Sequence, residues 1–104
     1  MTVEVLYLEG CPSHERLPPR IGELLDEVGS RGSLQLREVE SLEEAEAERF
    51  LGSPTVRVDG VDVEPGAAQR TDFGLKCRIY HSEAGVLPTP PEEWLRSALR
   101  MKAA

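Results

Sequence analysis

The chain has two cysteines and two histidines, and they fall in two pairs: Cys11-x-x-His14 and Cys77-x-x-x-His81. A cysteine works through its thiolate, which attacks disulfides and electrophiles and binds soft metals. Cys11 follows an apolar run that stops at Gly10 and precedes a helical pattern, so an exposed thiol is expected where a strand ends and a helix begins. There it faces the unpaired N–H groups and the positive end of the helix, both of which favour the thiolate. A free cysteine is only a few per cent thiolate at neutral pH. Making it mostly thiolate takes a shift of about two units, or about 2.7 kcal/mol, whereas a helix end supplies about 0.3 to 1 kcal/mol. A second donor is required, and His14, three residues on, is the nearest in sequence; as imidazolium it would pair with the thiolate.

Cys77 has two readings. It is either a thiol that a folded-back loop carries to Cys11, where it resolves a mixed disulfide or a sulfenic acid, or a small buried hydrophobe on a strand. The two pairs also admit a metal reading: Cys11, His14, Cys77 and His81 have spacings compatible with tetrahedral zinc, and two thiolates suit mercury and other soft ions. Arg70, Lys76 and Arg78 form either a cationic rim for an anion or acidic peptide, or a solvated face. No phosphate-binding loop is present, and with the only histidines already placed a Cys-His-Asp hydrolase has little support.

The elements that must position these residues are legible from their periodicity. Thr2 to Glu9 reads as a strand buried on both faces. Leu17, Ile21, Leu24, Leu25 and Val28 draw one apolar helical stripe ending near Gly29. Pro18 and Pro19 either kink this helix or mark where its regular part begins. Leu34 to Val39 alternates as a second strand. Ser41 and Glu44 then form a capping box for a helix to about Phe50, whose glutamates from Glu43 to Glu48 make a wet face. Thr55–Val58 and Val61–Glu64 flank Asp59-Gly60, a two-residue hairpin signal. Residues 65–90 are irregular, with a short strand expected at Cys77–Tyr80. A last helix runs from Glu92 to Met101, with Trp94, Leu95, Ala98 and Leu99 in the core. Connections of that irregular length are more often functional than idle.

The 104 residues suit one domain, 39% hydrophobic and 30% charged, as in an ordinary globular protein. Twelve basic against 19 acidic residues give a net charge of -7, a field that repels phosphate backbones and anionic lipid, so neither nucleic acid nor membrane is an expected partner. The apolar run Val3 to Leu8 is short, carries Glu4 and lacks a basic leader and a cleavage site. A cytoplasmic setting is therefore expected, where cysteines are reduced, catalytic or metal-binding rather than permanent staples.

A strand ending in Gly10-Cys11-Pro12, the order β-α-β-α-β-β-α, and Ser53-Pro54-Thr55 just before the third strand together resemble the thioredoxin superfamily. The likeness spans about Thr2 to Glu64 plus the last helix, while 65–90 departs from it as an insertion. The Gly-Cys-Pro start and the segment Gly74 to Arg78 are similar to small bacterial thioredoxin-like proteins. The resemblance implies an α/β thioredoxin-like fold with a four-stranded mixed sheet and helices on both faces. It implies Cys11 as attacking thiol and a cis Pro54 beside it. Pro12, Ser53, Pro54 and Thr55 would line the substrate side, with the backbone there open to an extended substrate chain. His14 stands where a C-x-x-C oxidoreductase carries its second cysteine, so Cys11 cannot close the usual disulfide and a monothiol mechanism, with Cys77 as resolving thiol, is expected. No cofactor is implied. The expected activity is thiol-disulfide oxidoreduction on a protein or small-molecule thiol or disulfide; the alternatives are a non-catalytic binding module on the same fold, and the metal site.

Overall fold

The computed structural model describes residues 1–11, 13–83 and 85–103, and of residues 13, 14, 102 and 103 the backbone alone. Its elements in chain order are β1 (Thr2–Tyr7), α1 (Ser13–Glu27), β2 (Ser33–Glu38), α2 (Leu42–Ala47), β3 (Thr55–Val58), β4 (Val61–Asp62), a 3₁₀ turn (Ala67–Gln69), β5 (Tyr80–Ser82), β6 (Gly85–Leu87) and α3 (Glu92–Ala103). The first four strands make a mixed sheet in the order β2-β1-β3-β4. β1 pairs in parallel with β2, as a helical crossover requires, and antiparallel with β3, with Val5 opposite both Leu36 and Val56.

The core follows from strand alternation. Successive side chains of β1 point to opposite faces, so Val3 and Val5 pack with Leu17, Ile21 and Leu24 of α1 and with Leu95 and Leu99 of α3. Leu6 points the other way, into a second cluster with Val39, Ala45 of α2 and Phe50. The three helices thus lie on both faces of the four-stranded sheet. Arg20 of α1 meets both carboxylate oxygens of Glu92 at 2.6 and 2.7 Å, and Arg96 of α3 meets Glu27 at 2.7 Å. These exposed pairs orient α3 on α1 but contribute little stability each.

Local signals account for the boundaries. Ser41 caps α2 by accepting from the Glu44 N–H at 3.1 Å, while the Glu44 carboxylate reaches back to the N–H of Glu40. Asp59 and Gly60 take positive φ values of 49° and 84°, the conformation of a two-residue hairpin turn. α1 runs from Ser13 through Pro18 and Pro19, so its regular part does not begin at the prolines. α2 stops at Ala47 rather than near Phe50, because Phe50 turns into the core and donates its N–H to the carbonyl of Ala45.

Residues 65–90 differ most from expectation. The strand foreseen at Cys77–Tyr80 begins instead at Tyr80 and closes a separate hairpin with β6, Tyr80 opposite Leu87. Trp94 is half-buried, not core; its ring stands edge-on to Tyr80, centroids 6.2 Å apart. Among the described residues no helix is long and apolar enough to cross a membrane.

Candidate functional site

The antiparallel register of β1 and β3 places the end of one beside the start of the other, Leu6 opposite Thr55. Two turns of chain meet there. The first, leading out of β1, is held by the N–H of Cys11 on the Leu8 carbonyl at 3.2 Å. The second is Ser53-Pro54-Thr55, all buried, with a cis peptide between Ser53 and Pro54. Ser53 Oγ accepts from the N–H of Leu8 at 3.0 Å and so ties the two turns together. Thr55 Oγ1 donates to the carbonyl of Gly52 at 2.7 Å.

A third segment completes the site. The N–H of Ser53 donates to the carbonyl of Lys76 at 2.8 Å, and the carbonyl of Ser53 accepts from the N–H of Arg78 at 2.9 Å. This parallel bridge between Ser53 and Cys77 occupies the backbone that the resemblance implied would stay open to a substrate chain. The protein's own residues 76–78 take that place.

The bridge brings the two sulfurs together. Cys11 Sγ and Cys77 Sγ lie 3.9 Å apart across 66 positions of chain, and Cys11 Sγ also lies 3.9 Å from the Ser53 carbonyl oxygen. An S–S bond is about 2.05 Å, so the pair is a facing dithiol. Two expectations are corrected here. Cys11, expected exposed, is 5% exposed, with the Cys77 sulfur and the Ser53 carbonyl oxygen each 3.9 Å from its own sulfur. Cys77 is exposed rather than a buried hydrophobe. The hydrogen bond with Cys11, and then the negative charge of the Cys11 sulfur, push the Cys77 thiol above its ordinary range.

Arg78 is the anchor of this segment, not a member of a cationic rim. Its side chain is wholly buried, with Nη1 and Nη2 on the two Asp62 carboxylate oxygens at 2.8 and 3.0 Å, Nη1 on Thr55 Oγ1 at 3.1 Å, and Nη2 3.4 Å from Glu64. Its guanidinium stacks 4.5 Å over the Tyr80 ring. Burial by itself would lower its pKa, but the hydrogen bond to Asp62 and the surrounding negative charge outweigh it and hold it raised. Burial likewise keeps the Tyr80 phenol protonated, and it donates to the Pro54 carbonyl. Gly52 lets the segment approach: at φ 126° its missing Cβ would fall 2.9 Å from Arg78 Cβ and 3.0 Å from its Cα. The other two expected rim cations are also neutralised, Arg70 by Glu64 and Asp72 at 3.0 and 2.6 Å and Lys76 by Asp72 at 3.0 Å.

Beside Cys77 opens a cleft of about 460 Å³ whose wall includes Leu51, Pro65, Cys77, Ile79, His81 and Trp94. His81 lies exposed on β5. Pro12 and the side chain of His14 lie outside the described residues. Among the described residues no three His, Cys, Asp or Glu side chains gather as a metal site would, so the four-ligand set of the metal reading is not assembled there.

Asp62, Gly52 and Tyr80 were not singled out from the sequence. Asp62 and Glu64, two apart in a hairpin otherwise rich in valine, were the available signal: paired carboxylates on one face call for a buried cation. Compared with known proteins, the chain matches no family model, no curated protein and no solved structure.

Proposed function

We propose that this chain is a thioredoxin-like thiol-disulfide exchange protein that works through a Cys11–Cys77 pair. The single observation that carries the reading is the 3.9 Å approach of two sulfurs 66 positions apart. A dithiol at that distance exchanges two electrons with a disulfide partner: the two thiols become one internal disulfide and the partner becomes two thiols. The buried Arg78–Asp62 pair supports it, since ordering a surface segment in this way serves to hold Cys77 over Cys11. Cys77 thereby stands in for the missing second cysteine of a C-x-x-C pair. The partner class is a protein or small-molecule thiol or disulfide, and a cytoplasmic setting suits the reduced pair.

The same distance supports a second reading, a soft metal ion bridged by the two sulfurs. One experiment separates them. The purified protein is treated with a mild thiol oxidant, digested without reduction and mapped by mass spectrometry, and its metal content is measured beforehand. The exchange reading expects an intramolecular Cys11–Cys77 disulfide in monomeric protein, reversed by a dithiol reductant. Stoichiometric retained metal that blocks oxidation would move the assignment to the metal site. Two untouched thiols in metal-free protein would sink both.

A further inference from the structure

Resting on that reading, we propose that Cys77, not Cys11, is the sulfur that exchanges with the partner, and that the partner is a low-molecular-weight disulfide seated in the cleft beside Cys77. Cys11 is then the buried thiol that closes and opens the internal disulfide.

Access decides the order of events. Disulfide exchange needs a thiolate to reach a sulfur directly. Cys77 is exposed and forms part of the cleft wall, whereas Cys11 is 5% exposed and does not line the cleft. The cleft, at about 460 Å³, falls within the roughly 300–1,000 Å³ of small-molecule sites. Its apolar wall includes Leu51, Ile79 and Trp94. A protein strand has no comparable entry, because both backbone groups of Ser53 are already bonded to residues 76 and 78.

The steps balance. Cys77 passes its proton across the 3.9 Å contact to Cys11, and its thiolate attacks one sulfur of RSSR; the Cys77–SR bond forms, the S–S bond breaks, and RS⁻ leaves. Cys11 gives its proton to that departing thiolate and attacks the Cys77 sulfur. The Cys11–Cys77 bond forms and the second RS⁻ leaves, carrying the one negative charge with which the singly ionised pair began. Two protein thiols are oxidised to one disulfide and one RSSR is reduced to two thiols. In reverse, an incoming thiolate attacks Cys77 and Cys11 departs.

The test uses glutathione disulfide as the probe. The internally oxidised wild-type protein is mixed with one equivalent of reduced glutathione, quenched with acid within seconds, and mapped; in parallel, reduced Cys11→Ser, Cys11→Ala and Cys77→Ser proteins are exposed to glutathione disulfide. The mixed disulfide is expected on Cys77 in at least tenfold excess in wild type. Both Cys11 variants are expected to trap it stably, and Cys77→Ser is expected to react at least tenfold more slowly. An adduct on Cys11, or an even split, overturns the order of attack, and the wild-type arm decides this whether or not a variant folds. Ile79→Trp, which fills the cleft from an exposed position, is expected to slow reaction with glutathione disulfide about tenfold while leaving that with the smaller hydroxyethyl disulfide within twofold; equal rates with both overturn the cleft as the seat. Failure of wild type to form any Cys11–Cys77 disulfide would instead remove the reading on which the proposal rests.

Discussion

Oxidation itself is the perturbation with the best-defined size. A Cys11–Cys77 bond would close a loop spanning 66 positions, and the chain-entropy relation for a loop of that length gives about 4 kcal/mol of stabilisation, by restricting the unfolded chain. Little of this is lost to distortion, because the sulfurs already face each other at 3.9 Å and Cys77 sits at the surface. The assay is urea unfolding of the oxidised and fully reduced protein at equal concentration. With a slope of about 2 kcal/mol/M for a domain of this size, the oxidised midpoint is expected about 2 M higher. By linkage, the folded chain favours the internal disulfide over the unfolded chain by the same 4 kcal/mol, about a thousandfold in equilibrium constant. Cys77→Ser should show no dependence on redox conditions. Equal midpoints, or an oxidised form that unfolds earlier, would show that the fold does not hold the two thiols ready to bond, and would refute the argument from proximity.

Three further outcomes are expected. Arg78→Met leaves Asp62 and Glu64 facing an apolar side chain and should cost about 3 kcal/mol, the lower end for breaking a buried ion pair because both carboxylates keep some water contact; urea unfolding of the reduced protein measures it, and a loss under 1 kcal/mol would contradict the anchoring role. Gly52→Ala places a Cβ 2.9 Å from Arg78 Cβ at a φ of 126° and should cost about 1–3 kcal/mol, with faster hydrogen exchange at the Arg78 amide that bonds Ser53; unchanged exchange there would count against the close approach. Alkylation of Cys77, followed against pH by mass spectrometry, should have its midpoint above the free-thiol value of about 8.5 and fall toward that value in Cys11→Ala, since the hydrogen bond and charge of Cys11 raise it. The sign for stability follows: a raised thiol contributes below the unfolded value and that contribution is lost as pH rises through the folded one, so reduced wild type should weaken in alkali more than Cys11→Ala. A midpoint at or below the free value would overturn the effect of Cys11 on the Cys77 thiol.

Much of the scaffold was legible because its signals are local. The apolar stripe of α1, the Ser41 cap and the Asp59-Gly60 turn each depend on residues within a few positions of one another, and each appears in the structure; β2 forms as well, though Leu36 on it is 53% exposed, so its alternation marked a strand and not a buried face. Residues 65–90 were not legible in the same way. Cys77-Arg78-Ile79-Tyr80 alternates like a strand, yet its first residues form only one bridge to Ser53, and the true hairpin starts where the alternation ends. Trp94 has helical spacing but ends half-buried, since that spacing identifies a face of α3 and not what lies against it.

By itself the sequence determined the segments that become β1 to β3 and the three helices, that a thiol would stand between β1 and α1, and that Ser53-Pro54-Thr55 would enter a strand. Only the tertiary structure decided that Cys11 is covered, that Cys77 is the sulfur at the surface, and that Arg78 is buried. Those facts arise from contacts spanning 16 to 66 positions, Asp62 to Arg78 and Cys11 to Cys77. Hydrophobic period and turn chemistry constrain a chain over one or two turns of helix or strand. The meeting of two distant thiols depends on the register of β1 against β3 and on one buried ion pair, neither of which leaves a periodic mark in the sequence.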